Sequence, residues 1–546
     1  MIQRLSVVLL TIAAMVVGAN IVCLGQSQSL LTRHLQDVTL NGQAPFVGRL
    51  PATQTLRIDI VLPVRDGLDD FLRELYDDPS SPSYRHFLTV EEFTERFGPS
   101  QKDFDALVHF AKTNGFTVTG GSRDALDLQL KGSVAAVETA FHVSLGVYHD
   151  PIENRDFYAP DREPTIDLPF QVMHISGLDD YFVPRNALVR KPPGAKPPAT
   201  TGSCPGASFC GSDMRAAYYE GKSLTGKGQT IGLLEFAGFD IADVNTYYKN
   251  AKQKRTARVK GISTDGTPIN CVAPTCDDTE QTLDITQALG MAPGVGTLYV
   301  YVGSSGTALL SSMSSHKPLP LNLSSSWYGW GIDFSSDDQY FKKMAAQGQS
   351  FFQAAGDSSA WRGTDTWWPM ESPYVICVGG TDLVTKGAGK AWASENVWID
   401  GGGGISPDDL PIASWQQLKG VITKANEGST KYRNGPDVSA NSNFTFYVCA
   451  DQTTCSENLY GGTSFAAPMW AGYMALVNQQ AATKKVSPPG FINPTIYLLG
   501  LGSGYHTDFH DITVGSNRFP AVKGYDLATG WGSPNTDGLI NALTEK

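Results

Sequence analysis

Gln229-Thr230-Ile231-Gly232-Leu233-Leu234-Glu235 is a near-continuous apolar run closed by a glutamate. A strand with one wet face alternates apolar and polar residues, whereas a strand covered on both faces does not. The run therefore predicts a strand inside a parallel sheet buried on both sides. Leu298–Val302, Leu319–Ser325, Ser350–Ala355, Tyr374–Val378 and Phe446–Cys449 read in the same way. Strands alternating with helical spacings predict a doubly wound α/β domain over residues 204–546. Sites in such sheets form beyond the carboxyl ends of strands.

The chain upstream differs. Thr55–Leu62 and Leu126–Leu130 alternate like strands, and Leu68–Tyr76, Pro99–Asn114 and Val134–Phe141 have helical spacing. Thr89 with Glu92 three positions on forms a capping-box pattern. Residues 39–185 are expected to fold as one α+β unit. Residues 186–203 then turn to Pro, Lys, Gly and Thr, which predicts an exposed linker with a processing site. A folded unit before such a linker suggests a propeptide. The first residues pair Arg4 with an apolar run from Leu5 to Val22, and small residues precede Gln26. This predicts a signal peptide over residues 1–25, with an uncleaved anchor as the alternative.

A chain of 546 residues with a net charge of −12 and no basic run or RNA-type aromatic motif excludes nucleic acid as an expected partner. No later stretch is apolar enough for a membrane span. Of eight cysteines, six form the close pairs Cys204/Cys210, Cys271/Cys276 and Cys449/Cys455, which fits an oxidising compartment. Zinc is the competing reading, but too few histidines lie near the pairs to complete tetrahedral sites. Cys377, inside an apolar run, reads as a buried free thiol.

Two segments carry candidate chemistry. Gly461-Gly462-Thr463-Ser464-Phe465-Ala466-Ala467-Pro468 precedes a long apolar run and reads as a tight turn feeding a buried helix, with Ser464 in its first turn. Ser464 there is either a nucleophile near free N–H groups or a helix cap. A serine nucleophile needs a base. Of nine histidines only His316, His506 and His510 follow the linker, none in a promising context. Asp278–Gly290 supplies carboxylates instead: Glu280 and Asp284, four apart, project from one helix face. Two like charges so close favour one shared proton. A solvated helix face is the bland alternative.

Glu280-x-x-x-Asp284, Ala354-Ala355-Gly356-Asp357-Ser358 and Gly462-Thr463-Ser464-Phe465-Ala466-Ala467-Pro468 together resemble the sedolisins, the serine-carboxyl peptidases. The N-terminal unit, with Pro82-Ser83-Tyr84-Arg85-His86-Phe87-Leu88, resembles the pro-kumamolisin activation domain. The resemblance implies a subtilisin-like, mainly parallel α/β catalytic domain behind an α+β prodomain. It implies Ser464 as nucleophile, Glu280 as general base and later acid, Asp284 as its partner and Asp357 as a protonated oxyanion donor. Glu235 would extend the relay and Trp327 would support the acids. It further implies one structural Ca2+ on Asp511, Asp526 and the carbonyls of Ile512, Val522 and Gly524, with Val522 standing where glycine is usual. Gly401–Gly404 would line the cleft. The Asn322 and Asn443 glycosylation sequons are weak signals. The expected protein is a secreted, monomeric zymogen of an acid-acting serine endopeptidase. Its substrates are proteins or peptides, and its prodomain acts as inhibitor or chaperone, without a stable membrane partner. A tripeptidyl aminopeptidase and an inactive secreted binding protein are the alternatives.

Overall fold

A computed structural model describes residues 27–545 apart from 193, 195–199, 332–333, 362–367 and 453. The signal-peptide reading of residues 1–25 lies outside them. Among the described residues no helix is long and apolar enough to cross a membrane.

The N-terminal unit is built on an antiparallel sheet in the order Thr117–Ser122, Asp127–Ser133, Thr55–Val61, His174–Ser176. A second antiparallel sheet joins Phe46–Arg49, Leu145–Asp150 and Arg155–Pro160. Helices Leu68–Tyr76, Val90–Phe97, Gln101–Thr113 and Val134–Phe141 follow the spacings read from the sequence. Thr89 and Glu92 form the expected reciprocal cap. One apolar cluster, including Ile58, Ile60, Leu128, Val137 and Phe141, belongs to this unit. Leu68, Phe71, Leu75, Tyr76, Phe93 and Phe97 instead join the core of the C-terminal unit. Polar contacts fix the docking: Tyr76 Oη donates to the Ala345 carbonyl at 2.7 Å, the Leu88 N–H to Ala346 at 3.0 Å, and Lys342 pairs with Asp69 at 2.9 Å.

From residue 204 the chain forms the predicted doubly wound domain. Its sheet runs Arg258–Ser263, Thr297–Val302, Thr230–Glu235, Asn322–Ser325, Ser350–Ala354, Ile376–Thr385. These strands are parallel. Val438–Asn441 also pairs parallel to Ile376–Thr385, and Trp392–Val397 pairs antiparallel to it. Thr230–Glu235 lies between two neighbours, and its five residues from Ile231 are buried, as an uninterrupted apolar run requires. Phe446–Cys449 differs from expectation. Tyr447–Ala450 pairs with Thr454–Glu457 as an antiparallel hairpin, closed by the Cys449–Cys455 disulfide. The other two cysteine pairs are also bonded, and Cys377 is buried and free.

Helix Thr279–Met291 packs on helix Ala466–Lys484, and the latter on the central strands. Their approach is close because Gly472 faces Ala288: a Cβ at Gly472 would lie 2.6 Å from the Ala288 carbonyl oxygen. This contact brings the segment before residue 466 against the N-terminal turn of the other helix. Gly472→Ala must push the helices apart and is expected to cost about 1–3 kcal/mol. Denaturant unfolding of the variant measures this, and peptidase activity should fall with it.

Candidate active site

The helix that follows Ser464 begins at Ala466, with Phe465 as its N-cap and no side-chain cap bond. Ser464 therefore precedes the first turn, and the helix-cap alternative is excluded. The Thr463 hydroxyl donates to Asp357 Oδ1 at 2.9 Å, and the Thr463 N–H donates to the same atom at 2.7 Å. The Ser464 hydroxyl donates to the Ala187 carbonyl, which also takes the Ser464 N–H at 3.1 Å.

Glu280 and Asp284 are 2 % and 0 % exposed, so the solvated-face alternative is excluded as well. Every residue of their helix is buried. Burial pushes the Glu280 carboxyl up to about 8, and the Ser464 and Ser326 hydroxyls and Asp284 beside it pull the other way. Neither Glu280 oxygen has a hydrogen-bond partner of normal geometry. Asp284 is also pushed well above the carboxylate range, by burial and then by the Glu235 and Glu280 charges. Glu235, at the end of its strand and fully buried, rises to about 8 for the same leading reason. Trp327 Nε1 donates to Glu235 Oε2 at 2.8 Å. Among the described residues Glu235 Oε1 has no hydrogen-bond donor of normal geometry. Contact between Glu235 and Asp284 lowers one carboxyl and raises the other, as a shared proton requires.

Asp357 follows the strand Ser350–Ala354. Burial raises its carboxyl well above the usual range, against the two Thr463 donors. Among the described residues its buried Oδ2 has no hydrogen-bond partner. A Cβ at Gly462 would lie 2.5 Å from that oxygen and 2.4 Å from the Ala187 carbonyl oxygen. Gly462, at φ 147°, therefore admits both groups where any side chain would strike them. The Gly401–Gly404 segment reaches the residue before Asp357: the Gly402 N–H donates to the Gly356 carbonyl at 2.6 Å.

The stretch expected as a free linker is seated in the site. Arg185–Asn186 pairs antiparallel with Trp327–Tyr328, and Val189–Arg190 with Tyr460–Gly461. Between them Ala187 is 1 % exposed, and its N–H donates to the Ser326 carbonyl at 2.8 Å. The Lys191 N–H reaches the Leu459 carbonyl at 2.8 Å. Residues 185–191 thus lie in extended form across the serine, with the Ala187 carbonyl at its hydroxyl.

No histidine joins these groups among the described residues. His316 contacts Tyr299 and Tyr301, and His510 stacks on Trp392. Sequence reasoning missed Ser326, whose hydroxyl donates to both Asp284 oxygens, and Thr463 as the holder of Asp357. Both lie in runs of small hydroxyl residues that are common elsewhere. The Asn322 sequon is buried in the sheet.

Asp511 and Asp526 meet at a separate loop. The Gly524 N–H donates to Asp511 Oδ1 and the Val522 N–H to Asp526 Oδ2, each at 3.1 Å. Among the described hydrogen bonds none ends on the carbonyls of Ile512, Val522 or Gly524. Asp526 is fully buried and pushed up to about 7 by burial. No described ion pair involves either aspartate. Asp526 Oδ1 accepts from the Ala528 N–H at 3.0 Å and from the Thr529 N–H and hydroxyl at 2.8 and 3.1 Å, so neutral donors orient this carboxylate. Two carboxylates beside carbonyls that accept no described hydrogen bond make an all-oxygen set of the kind a hard divalent cation takes. No group of three His, Cys, Asp or Glu gathers among the described residues, so an ion there would depend on two carboxylates and carbonyls.

Comparison with known proteins follows this geometry. Residues 43–181 match the pro-kumamolisin activation domain model, and residues 276–490 match the subtilase family model. The chain is 30 % identical to kumamolisin from Bacillus sp. (strain MN-32) over 537 residues, covering 92 % of this chain and 94 % of that protein. It is 25 % identical to tripeptidyl-peptidase 1 of Bos taurus, covering 86 % and 88 %. The solved structure of Pseudomonas sedolisin, a serine-carboxyl proteinase complexed with two molecules of pseudo-iodotyrostatin, aligns with a TM-score of 0.50 at 23 % identity. It covers 63 % of this chain and 98 % of that one.

Buried acids also set a pH dependence. Glu235 and Glu280 titrate near 8 when folded, against 4.5 as the ordinary value. A raised folded pKa contributes stability that is full below the unfolded value and lost as pH rises through the folded one. The melting temperature should therefore be highest in mild acid and fall from about pH 5 to 9. Calorimetry across that range checks it, and Glu235→Gln should flatten the decline.

Proposed function

The chain belongs to the sedolisin family of serine-carboxyl peptidases, and from that premise we propose that it is the secreted zymogen of an acid-acting endopeptidase whose cleft is filled by its own linker. The observation that carries the reading is the Ala187 carbonyl, held by both the N–H and the hydroxyl of Ser464. A peptide so placed is a substrate in waiting, and the bond that faces the nucleophile is Ala187–Leu188.

The steps follow from the groups at hand. Ser464 Oγ attacks the carbonyl carbon and gives its proton to Glu280, which passes the proton it shared to Asp284. The carbonyl oxygen, now anionic, takes hydrogen bonds from the Ser464 N–H and from protonated Asp357, the kind of fixed donor set that lowers such barriers. Collapse breaks the C–N bond as Glu280 protonates the departing amine. Water, deprotonated by the same carboxylate, then hydrolyses the Ser464 ester. Asp357 donates only while protonated, and its raised pKa supports that state in acid. Glu235, fixed by Trp327, extends the store of protons.

The segment runs through the cleft, paired on both sides of Ala187, and continues into the N-terminal unit. Accommodation of chain on both sides supports internal cleavage over removal of tripeptides. The docked N-terminal unit serves as intramolecular inhibitor until this bond is cut. Asp511, Asp526 and the carbonyls of Ile512, Val522 and Gly524 would hold one Ca2+ that ties down the C-terminal loops, and the mature enzyme is read as an extracellular monomer acting on protein substrates.

Incubating the purified precursor in mild acid and sequencing the new N-terminus tests the reading. Leu188 is the expected first residue at the initial cut. Ser464→Ala should stay uncut and lose activity by a factor on the order of 10⁴ or more. An S464A protein that still cleaves a blocked peptide, after processing by another protease, would overturn the assignment. Chelation with EDTA should lower the melting temperature of the full chain, with recovery on adding Ca2+.

A further inference from the structure

Ser326 is completely buried, and the mechanism above gives it no part. Its Oγ donates to Asp284 Oδ1 at 3.1 Å and Oδ2 at 3.0 Å, with the Ser464 carbonyl a longer acceptor at 3.5 Å. Its own carbonyl accepts the Ala187 N–H at 2.8 Å. One residue thus holds the seated peptide with its backbone and the acid pair with its hydroxyl. Among the described hydrogen bonds no other N–H or hydroxyl reaches Asp284.

The carboxyls facing Asp284 are Glu280 from its own helix and Glu235 from the neighbouring strand. Asp277 raises Glu280 from further out, and Glu280 in turn raises Asp357. The leading influences on Asp284 are burial and the Glu235 and Glu280 charges, and no described ion pair involves it. A buried carboxylate with only acidic neighbours is expensive unless a donor satisfies it. Ser326 supplies that donor, and a hydroxyl proton aimed at the carboxylate stabilises the ion over the acid.

We propose that Ser326 is a positioning residue that holds Asp284 as the proton-accepting member of the acid pair. When Ser464 transfers its proton to Glu280, the O–H bond on Glu280 breaks and one forms on Asp284; the Ser326 hydroxyl keeps its own proton and turns from donor to acceptor as Asp284 becomes neutral. The backbone carbonyl of the same residue couples this arrangement to an occupied cleft. The inference rests on the serine-carboxyl reading of Ser464, Glu280 and Asp284.

The test is the pH profile of kcat/KM for the processed enzyme with Ser326→Ala and Ser326→Thr. In the wild type the acid limb reports complete protonation of the pair. Removing the donor raises the proton affinity of Asp284, so the S326A limb is expected about one pH unit higher, the size a hydrogen bond to a charged group allows. S326T keeps a hydroxyl and should bring the limb back. If S326A does not fold, Ser326→Cys, with its weaker S–H donor, should shift the limb the same way. An acid limb that stays in place while kcat/KM falls equally at every pH overturns the positioning role alone. A wild type without an acid limb, or an S464A variant with full activity, overturns the serine-carboxyl reading as well.

Discussion

The structure of the site depends on one constraint: three carboxyls, Glu235, Glu280 and Asp284, are buried together, and among the described residues no ion pair involves any of them. Removing a charge from water without a partner is costly, so such groups keep their protons or share them. Each surrounding feature answers that demand with a neutral donor. Trp327 gives its indole N–H to Glu235, and Ser326 gives its hydroxyl to Asp284. A lysine or arginine in either place would have ionised the acids and removed the proton store. Asp357 follows the same rule: among the described residues Thr463 satisfies its Oδ1, and its Oδ2, like the Ala187 carbonyl, lies against Gly462.

The sheet and its helices deliver these groups from distant parts of the chain. Glu235, Ser326 and Asp357 stand at or just beyond the carboxyl ends of three parallel strands. Adjacent strands bring Glu235 and Ser326 together through the register Leu234 to Ser325. Glu280 arrives on a helix and Ser464 on the turn before another, and Gly472 lets those helices approach. The acids are therefore fixed by rigid elements, while the nucleophile sits on a short turn held by Asp357 and the seated strand.

Features that depend on side-chain pattern were legible in the sequence. The parallel strands showed as unbroken apolar runs, the cap at Thr89 as a Thr-to-Glu spacing, and the acid pair as a four-residue step on one helix. Features that depend on backbone were not. Phe446–Cys449 looks like the other strands in composition, yet Cys455 draws it into a hairpin. The helix after Ser464 begins at Ala466, later than a first turn containing Ser464 implies. The proline-rich stretch reads as exposed, but Arg185 to Arg190 pairs through N–H and carbonyl groups that every residue carries. No periodicity announces such a strand. The meeting of Ser464, Glu280 and Asp357 was available only through resemblance, since nothing local to any one segment points to the others.

On the proposed reading, the seated strand also explains how a base that titrates near 8 serves a reaction in acid. Burial is the leading cause of the shift on Glu280, and on this reading the peptide held at Ser464 contributes to it. While the strand is in place, the Ser464 hydroxyl is committed to the Ala187 carbonyl, and among the described residues neither Glu280 oxygen has a donor of normal geometry. Departure of the strand and the unit behind it readmits water, and hydration favours the ionised carboxyl. The pair then loses a proton at lower pH than in the closed precursor, and Glu280 becomes able to accept one from Ser464. Asp357 gains water by the same event but keeps the Glu280 charge nearby, which opposes its own ionisation. Opening of the cleft thus separates two acids that were raised together, one toward the role of base and one toward that of donor, and the separation comes from solvation rather than from any new residue.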